Sequence, residues 1–336
     1  MSELEKEDYT VVTEDLVVTF TSKKGLFTKI PFNAVDHVNI SVERGTTVGL
    51  VGESGSGKTT LGKTIIGLYK PTSGHVYYHG KDIWKMSEEE FMKFRMSSQI
   101  IHQDPYSSLN PYKSVYDVLS VPLRAHKLVK SKQEERERIY SMLREVGLNP
   151  PEFFAEKYPF ELSGGQRQRV SIARAMLLEP DLVIADEPIT MLDASLRLGI
   201  LDTMISLQKK MNLSLLFITH DLGMAYYIVG ERGNIAVMYL GEIVEYGPAG
   251  KVLREPQHPY TKALLSAIPE PDPIKSRSKQ LMKLKSLDPP DPTKAPPGCK
   301  FSDRCPFAFD RCLKERPKLV DVGDDKVACW LYPGES

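Results

Sequence analysis

The 336-residue chain is 41% hydrophobic and 26% charged, the make-up of a soluble globular protein with room for about two domains. Lysine plus arginine equals aspartate plus glutamate at 44 each, so no overall field draws the chain to nucleic acid. The polar, acidic start from Met1 to Asp8 is unlike a secretory signal, and no apolar run approaches the roughly 20 residues that span a bilayer. A cytoplasmic chain is expected, with any membrane part supplied by other subunits. Its four cysteines are then not expected to form structural disulfides.

In chain order, residues 10–13, 16–20 and the broken run 35–42 predict strands, with a loop across 21–31. A further apolar strand, 47–51, runs into Gly52-Glu53-Ser54-Gly55-Ser56-Gly57-Lys58-Thr59-Thr60, and a helical stretch with Leu61, Ile65, Ile66 and Leu68 follows. Strand, glycine-rich turn and helix in that order are the setting of a phosphate-binding loop. Glycines at 52, 55 and 57 can take backbone angles closed to other residues, so successive N–H groups can point into one anion-sized cavity. The helix start adds its positive end. Lys58 is expected to reach the terminal phosphates and the Thr59 hydroxyl to ligate Mg²⁺. The chain is therefore expected to bind a nucleoside triphosphate. Of the upstream aromatics Phe20, Phe27 and Phe32, Phe20 is preferred to stack on an adenine ring; the alternative is that all three simply pack.

A turn after Pro71 and residues 76–80 predict a hairpin, 88–95 a helix and 99–102 a short strand. Gln103 ends that strand and opens a turn-rich stretch to Pro111, where a polar side chain can meet metal or water at a sheet's carboxyl edge. Residues 112–159 read as a helical insertion in an α/β domain, since strands resume only at Leu182. Within it Ser131 caps a helix with Ile139, Met142, Leu143 and Val146 on its apolar face, and Gly147 stops it. The charges at 132–138 read as its solvated face. Leu162-Ser163-Gly164-Gly165-Gln166 opens the next helix. Ser163 is its expected N-cap, and the glycines leave first-turn N–H groups bare, a second anion site. A phosphate loop and a separate, uncovered helix start in one chain suggest that the second site meets phosphate bound by another chain.

Residues 182–185 predict a buried parallel strand that delivers Asp186 and Glu187 to the catalytic edge. Adjacent carboxylates on extended backbone point opposite ways, so Asp186 is assigned to Mg²⁺ and Glu187 to the attacking water. Asp193 precedes a helix expected to turn Leu196, Ile200, Met204 and Leu207 inward. Another buried strand, 213–218, ends at Thr219-His220-Asp221, with His220 placed to contact the terminal phosphate.

Residues 52–59, Gln103, 162–166, 182–187, Leu192-Asp193 and His220, in this order, resemble the nucleotide-binding subunit of an ABC transporter. The resemblance covers residues from about 10 to 250, and Leu-Ser-Gly-Gly-Gln is its most diagnostic part. It implies an α/β fold: a RecA-like P-loop NTPase core with an antiparallel β-subdomain and a helical subdomain over about 104–172. It implies head-to-tail dimers with MgATP between one chain's Lys58 loop and the other's residues 163–166. It also makes Gln103 a sensor of Mg²⁺ and of the membrane partner, Glu187 the base, His220 the γ-phosphate contact and Asp193 part of communication across the dimer. Thr190 and Met191 stand where Ser-Ala is usual, and His102 where an apolar residue is common.

Residues 239–247 and 258–265 resemble the dipeptide/oligopeptide permease group, which divides the chain into a cassette, 1–255, and a C-terminal domain, 256–336. A proline-rich linker, 269–297, leads to Cys299, Cys305, Cys312 and Cys329, separated by five, six and sixteen residues. Zinc sites usually use closer pairs, whereas this looser spacing suits an iron–sulfur cluster. The resemblance implies a [4Fe–4S] cluster too; zinc and plain thiols are the alternatives. The expected function is the ATPase motor subunit of an importer of dipeptides or oligopeptides at the cytoplasmic membrane face. Its implied partners are a second cassette, favoured as a paralogue, two transmembrane permease subunits and an extracytoplasmic binding protein, without nucleic acid. Oligosaccharide or nickel cargo, a soluble ATPase of DNA repair or translation, and a binding module without turnover are the competing readings.

Overall fold

Two sheets carry the chain, and the nucleotide loop lies where they meet. The computed structural model describes residues 6–24, 28–231, 233–268, 282–288 and 291–332. The first sheet is antiparallel, built from β1 (Tyr9–Lys24), β2 (Thr28–Val38), β3 (Ser41–Glu43), β5 (Ser73–Tyr78) and β6 (Lys81–Asp82). Its order is β2-β1-β5-β6, with β3 also on β1. Residues 21–24 and 28–31, expected as a loop, instead extend β1 and β2 as paired strands, with Phe20 opposite Phe32 and Ser22 opposite Ile30. The backbone pairing continues to Lys24 opposite Thr28, past the lysines that suggested a loop. Gly25, Leu26 and Phe27 lie outside the described residues, as do 269–281 and 289–290 of the linker.

The second sheet holds β4 (Thr47–Val51), β7 (Ser98–Ile101), β8 (Leu182–Asp186), β9 (Ser214–Thr219), β10 (Asn234–Tyr239), β11 (Glu242–Pro248), β12 (Val320–Val322) and β13 (Asp325–Val327). Its order is β12-β13-β11-β10-β4-β9-β8-β7, and β10, β4, β9, β8 and β7 run parallel. Such strands are covered on both faces and read as continuous apolar runs. Every residue of β8 and β9 is buried accordingly. On the far side β11, β13 and β12 continue the sheet antiparallel, so strands from the C-terminal region extend the sheet begun by β4.

Between β7 and β8 the chain is helical, as expected. Pro105–Ser108 forms one short turn in the stretch read only as turn-rich, followed by helices Val115–Ala125, Lys132–Glu145 and Pro151–Glu156. Ser131 accepts the Glu134 N–H at the start of the Lys132–Glu145 helix, and Gly147 takes φ +77 just beyond it. Leu119, Leu123, Ile139, Leu143 and Val146 bury together with Val170 and Ala173 of the Gly164–Met176 helix. One expected core position is wrong. In the Ala194–Met211 helix Ile200, Leu201, Met204 and Leu207 face inward, but Leu196 is 43% exposed near the helix start.

Candidate active site

Parallel strands bring their carboxyl ends to one cleft: β4 to the glycine loop, β7 to Gln103, β8 to Asp186 and Glu187, and β9 to His220. A cavity of about 780 Å³ opens there, lined by Phe20, Phe32, Lys58, Thr59, Gln103, Glu187 and His220 among others. Two glycines are dictated by close approach. A Cβ on Gly57, which sits at φ +105, would lie 2.0 Å from the Ala34 carbonyl oxygen, and one on Gly52 would lie 2.2 Å from that of Met238. The loop is thus folded tightly against the antiparallel sheet and β10. The Lys58–Ile65 helix begins directly behind it, without a side-chain cap on its first N–H groups.

Lys58 is buried and curls back, donating from Nζ to the carbonyls of Gly52 at 2.8 Å and Glu53 at 2.9 Å. Burial pushes its pKa down, opposed by the charges of Glu187, Asp186 and Glu53. Thr59 Oγ1 donates to Asp186 Oδ1 at 2.8 Å. Burial raises the Asp186 pKa while that hydrogen bond opposes the rise. The neighbouring carboxylate serves a different set of groups: Glu187 Oε2 accepts from Gln103 Nε2 at 3.1 Å and Thr190 Oγ1 at 3.0 Å, with His220 Nδ1 at 3.4 Å. Glu187 sits at φ +47, a left-handed conformation unusual for a residue other than glycine. Its backbone N–H remains bonded to Ile218 of β9, which anchors that turn.

The segment 163–166 does not line this cleft. Ser163 is the N-cap as expected, but the first turn is less bare than the sequence suggested. Ser163 Oγ accepts the Gln166 N–H at 3.3 Å, and Gln166 Oε1 accepts the Ser163 N–H at 2.9 Å. Gly164 and Gly165 follow on the helix, with Gly165 pressed near Leu196. Asp193 is exposed and caps the next helix without a side-chain hydrogen bond. Phe20, half exposed at the cleft, packs edge-on against Tyr69 at 5.7 Å and tilts toward Phe32 at 6.4 Å.

Several contributors were not legible. Thr190, noted only as a departure from a usual serine, holds Glu187. Asn33, Leu264 and Pro292 line the cleft from distant segments; no local pattern marks Asn33 or Pro292, and the pattern at 258–265 did not point Leu264 to the cleft. Glu53 is gripped by Arg304 and Tyr260 from the far end of the chain.

In the tail, all four cysteines are free thiols and line one small apolar cavity with His258, Phe301 and Trp330. Burial pushes Cys299 up to about 12 and Cys329 to about 11. Among the described residues no group of three or more His, Cys, Asp or Glu side chains is set to hold a metal ion. The four sulfurs are free of disulfides, and no carboxylate lies in the cavity lining.

Known proteins with this arrangement fix its family. Residues 35–190 match the ABC transporter family, and residues 244–312 match the oligopeptide/dipeptide transporter C-terminal region. The oligopeptide transport ATP-binding protein OppF of Escherichia coli K12 is 43% identical over 319 residues, covering 94% of each chain. The chain belongs to the ATP-binding proteins of ABC transporters. The dipeptide transport ATP-binding protein DppF of the same organism is likewise 43% identical, over 94% of this chain and 92% of its own. Among solved structures, a dimeric post-hydrolysis state of the cassette MJ0796 bound to ADP and Pi superposes with a TM-score of 0.62 at 29% identity. That match covers 71% of this chain and 98% of the other. The RecA-like α/β architecture and the ATPase class expected from the residues are those of the family. No helix among the described residues is long and apolar enough to cross a membrane.

Proposed function

We propose that this cassette is the ATP-hydrolysing motor of an importer of dipeptides or oligopeptides, working at the cytoplasmic membrane face. The reading is carried by one observation: Lys58, Thr59, Asp186, Gln103, Glu187 and His220 converge on a single cleft. Lys58 leaves the Gly52 and Glu53 carbonyls to neutralise the β- and γ-phosphates as the loop N–H groups wrap them. Thr59 and Asp186 supply the Mg²⁺ oxygens, with Gln103 beside them. Glu187 aligns and deprotonates the attacking water, Thr190 and Gln103 fix its carboxylate, and His220 contacts the γ-phosphate. Phe20 stacks on adenine.

Residues 163–166 and Asp193 act on a second cassette, a paralogue in this reading. The position of Ser163 outside its own cleft supports that role, and the dimeric relative is consistent with it. The groove lined by Met92, His102, Val121, Pro122 and His126, about 820 Å³ between core and helical subdomain, receives a transmembrane permease subunit. An extracytoplasmic binding protein delivers the cargo. The cassette spans 1–255 and the tail 256–336. Cys299, Cys305, Cys312 and Cys329 hold a [4Fe–4S] cluster, with zinc as the second reading; the group staples a short segment that has little core of its own.

Phosphate release from the Glu187→Gln variant tests the motor. A fall of about 10² to 10⁴ with MgATP binding retained is expected, the scale of a general base; an unchanged rate would remove Glu187 from its role. Co-purification with hydrophobic subunits separates transport from a soluble ATPase.

A further inference from the structure

The glycine loop is gripped from outside its own fold. Glu53 receives both arms of the Arg304 guanidinium: Nη1 donates to Oε2 at 2.7 Å and Nη2 to Oε1 at 3.0 Å. The Glu53 backbone N–H donates to the Tyr260 hydroxyl at 2.8 Å. These partners lie 251 and 207 residues further along the chain. Tyr260 is 1% exposed and Arg304 8%, so neither is a mobile surface group. Tyr239, Tyr260 and Phe301 form a triangle of rings with centroids 4.6 to 5.4 Å apart, and the guanidinium lies 5.8 Å from Tyr239 and 5.9 Å from Phe301. A two-pronged charged contact of this kind fixes direction as well as distance.

The same turn carries the cysteine cavity. Arg304 and Cys305 are adjacent, and their N–H groups both donate to the Phe301 carbonyl, at 3.0 and 2.9 Å. On the other side of Phe301, Lys300 follows Cys299 and is buried against Asp36 Oδ2 and the Leu240 carbonyl, each at 2.7 Å. Asp36 in turn accepts from Asn33, which lines the cleft. Two cysteines thus each adjoin a cation that ties the tail to the nucleotide cleft.

We propose that Arg304 and Tyr260 are positioning residues for the glycine loop, and that MgATP affinity follows the packing of the cysteine-lined cavity through the Arg304–Glu53 contact. The proposal rests on the cleft being the MgATP site. Loosening the cavity lets the Phe301–Cys305 turn shift, Glu53 loses its two-pronged partner, and the loop must be ordered afresh when nucleotide arrives.

Full-length protein titrated with a fluorescent ATP analogue and Mg²⁺ tests it. Arg304→Gln is expected to weaken binding about tenfold, within the range of coupling between contacting groups. Arg304→Lys, which keeps the charge but loses the fork, should fall between. Glu53→Gln leaves the tail intact and should repeat the loss, guarding against a misfolded Arg304 variant. The deciding measurement is Cys305→Ser: it should weaken binding in the parent chain and add nothing in the Arg304→Gln background. Effects that multiply independently, or an unchanged affinity in both Arg304→Gln and Glu53→Gln, would overturn the proposal. If the parent shows no saturable binding that Lys58→Ala removes, the site reading itself fails and the proposal falls with it.

Discussion

The Thr59 hydroxyl donates to Asp186 across 2.8 Å, joining the loop after β4 to the end of β8. These two oxygens are the pair proposed for Mg²⁺, so the contact holds the proposed ligands close together. Thr59→Val removes one of the proposed ligands and should lower the apparent Mg²⁺ affinity by at least about 10-fold, the least that disturbing a ligand's support alone costs, while Thr59→Ser retains it. Magnesium titrations of phosphate release at fixed ATP read the difference.

Gly57→Ala is expected to cost more than a routine glycine substitution. The residue sits at φ +105, and the added methyl would lie 2.0 Å from a backbone oxygen that cannot swing aside. The conformation alone costs about 1–2 kcal/mol for an L-residue. Both a lowered melting temperature and loss of nucleotide binding are expected, by calorimetry and by equilibrium titration.

In the helical subdomain Glu135 is buried between the Arg124 guanidinium, at 2.6 Å, and the Tyr116 hydroxyl, at 2.8 Å. The Arg124 hydrogen bond, against the opposing effect of burial, holds its carboxyl below the usual value of 4.5. Because the folded state binds its proton more weakly than the unfolded chain, this stabilisation is complete above about pH 4.5. It is lost as pH falls through the depressed value. Glu135→Gln should lower stability at neutral pH by about 1–3 kcal/mol and flatten that acid limb. Urea unfolding at a series of pH values measures both.

Leu143 is fully buried in the same subdomain, whereas its neighbour Met142 is only partly so. Leu143→Ala should cost about 2–5 kcal/mol, since a packed interior collapses only partly around the void. Met142→Ala should cost clearly less. Equal losses in urea unfolding would contradict the packing of that helix.

Local chemistry explains which parts of this molecule were legible. The glycine loop, the β8 carboxylates and the Ser131 cap each depend on residues within a few positions of one another, so pattern and mechanism coincide. The divergence of Asp186 and Glu187 was expected from strand geometry, but β8 ends at Asp186 and Glu187 turns away at φ +47. The strand pairing of 21–24 with 28–31 was missed because the lysines there look like a solvent loop; the strands hold through cross-strand partners that a linear reading does not weigh. Leu196 was misassigned because helical periodicity fixes a face but not how far the neighbouring element extends to cover it. Arg304 was invisible for a different reason. Its meaning depends on Glu53, and no spacing rule connects positions separated by most of the chain.

The placement of β12 and β13 has a consequence for synthesis. Glu245 and Tyr246 of β11 pair with Val327 and Lys326, so one flank of the central sheet stays open until β13 has left the ribosome. An open strand edge is a template for wrong pairing. Truncation between β11 and β13 should therefore yield insoluble protein rather than a working cassette that merely lacks its tail.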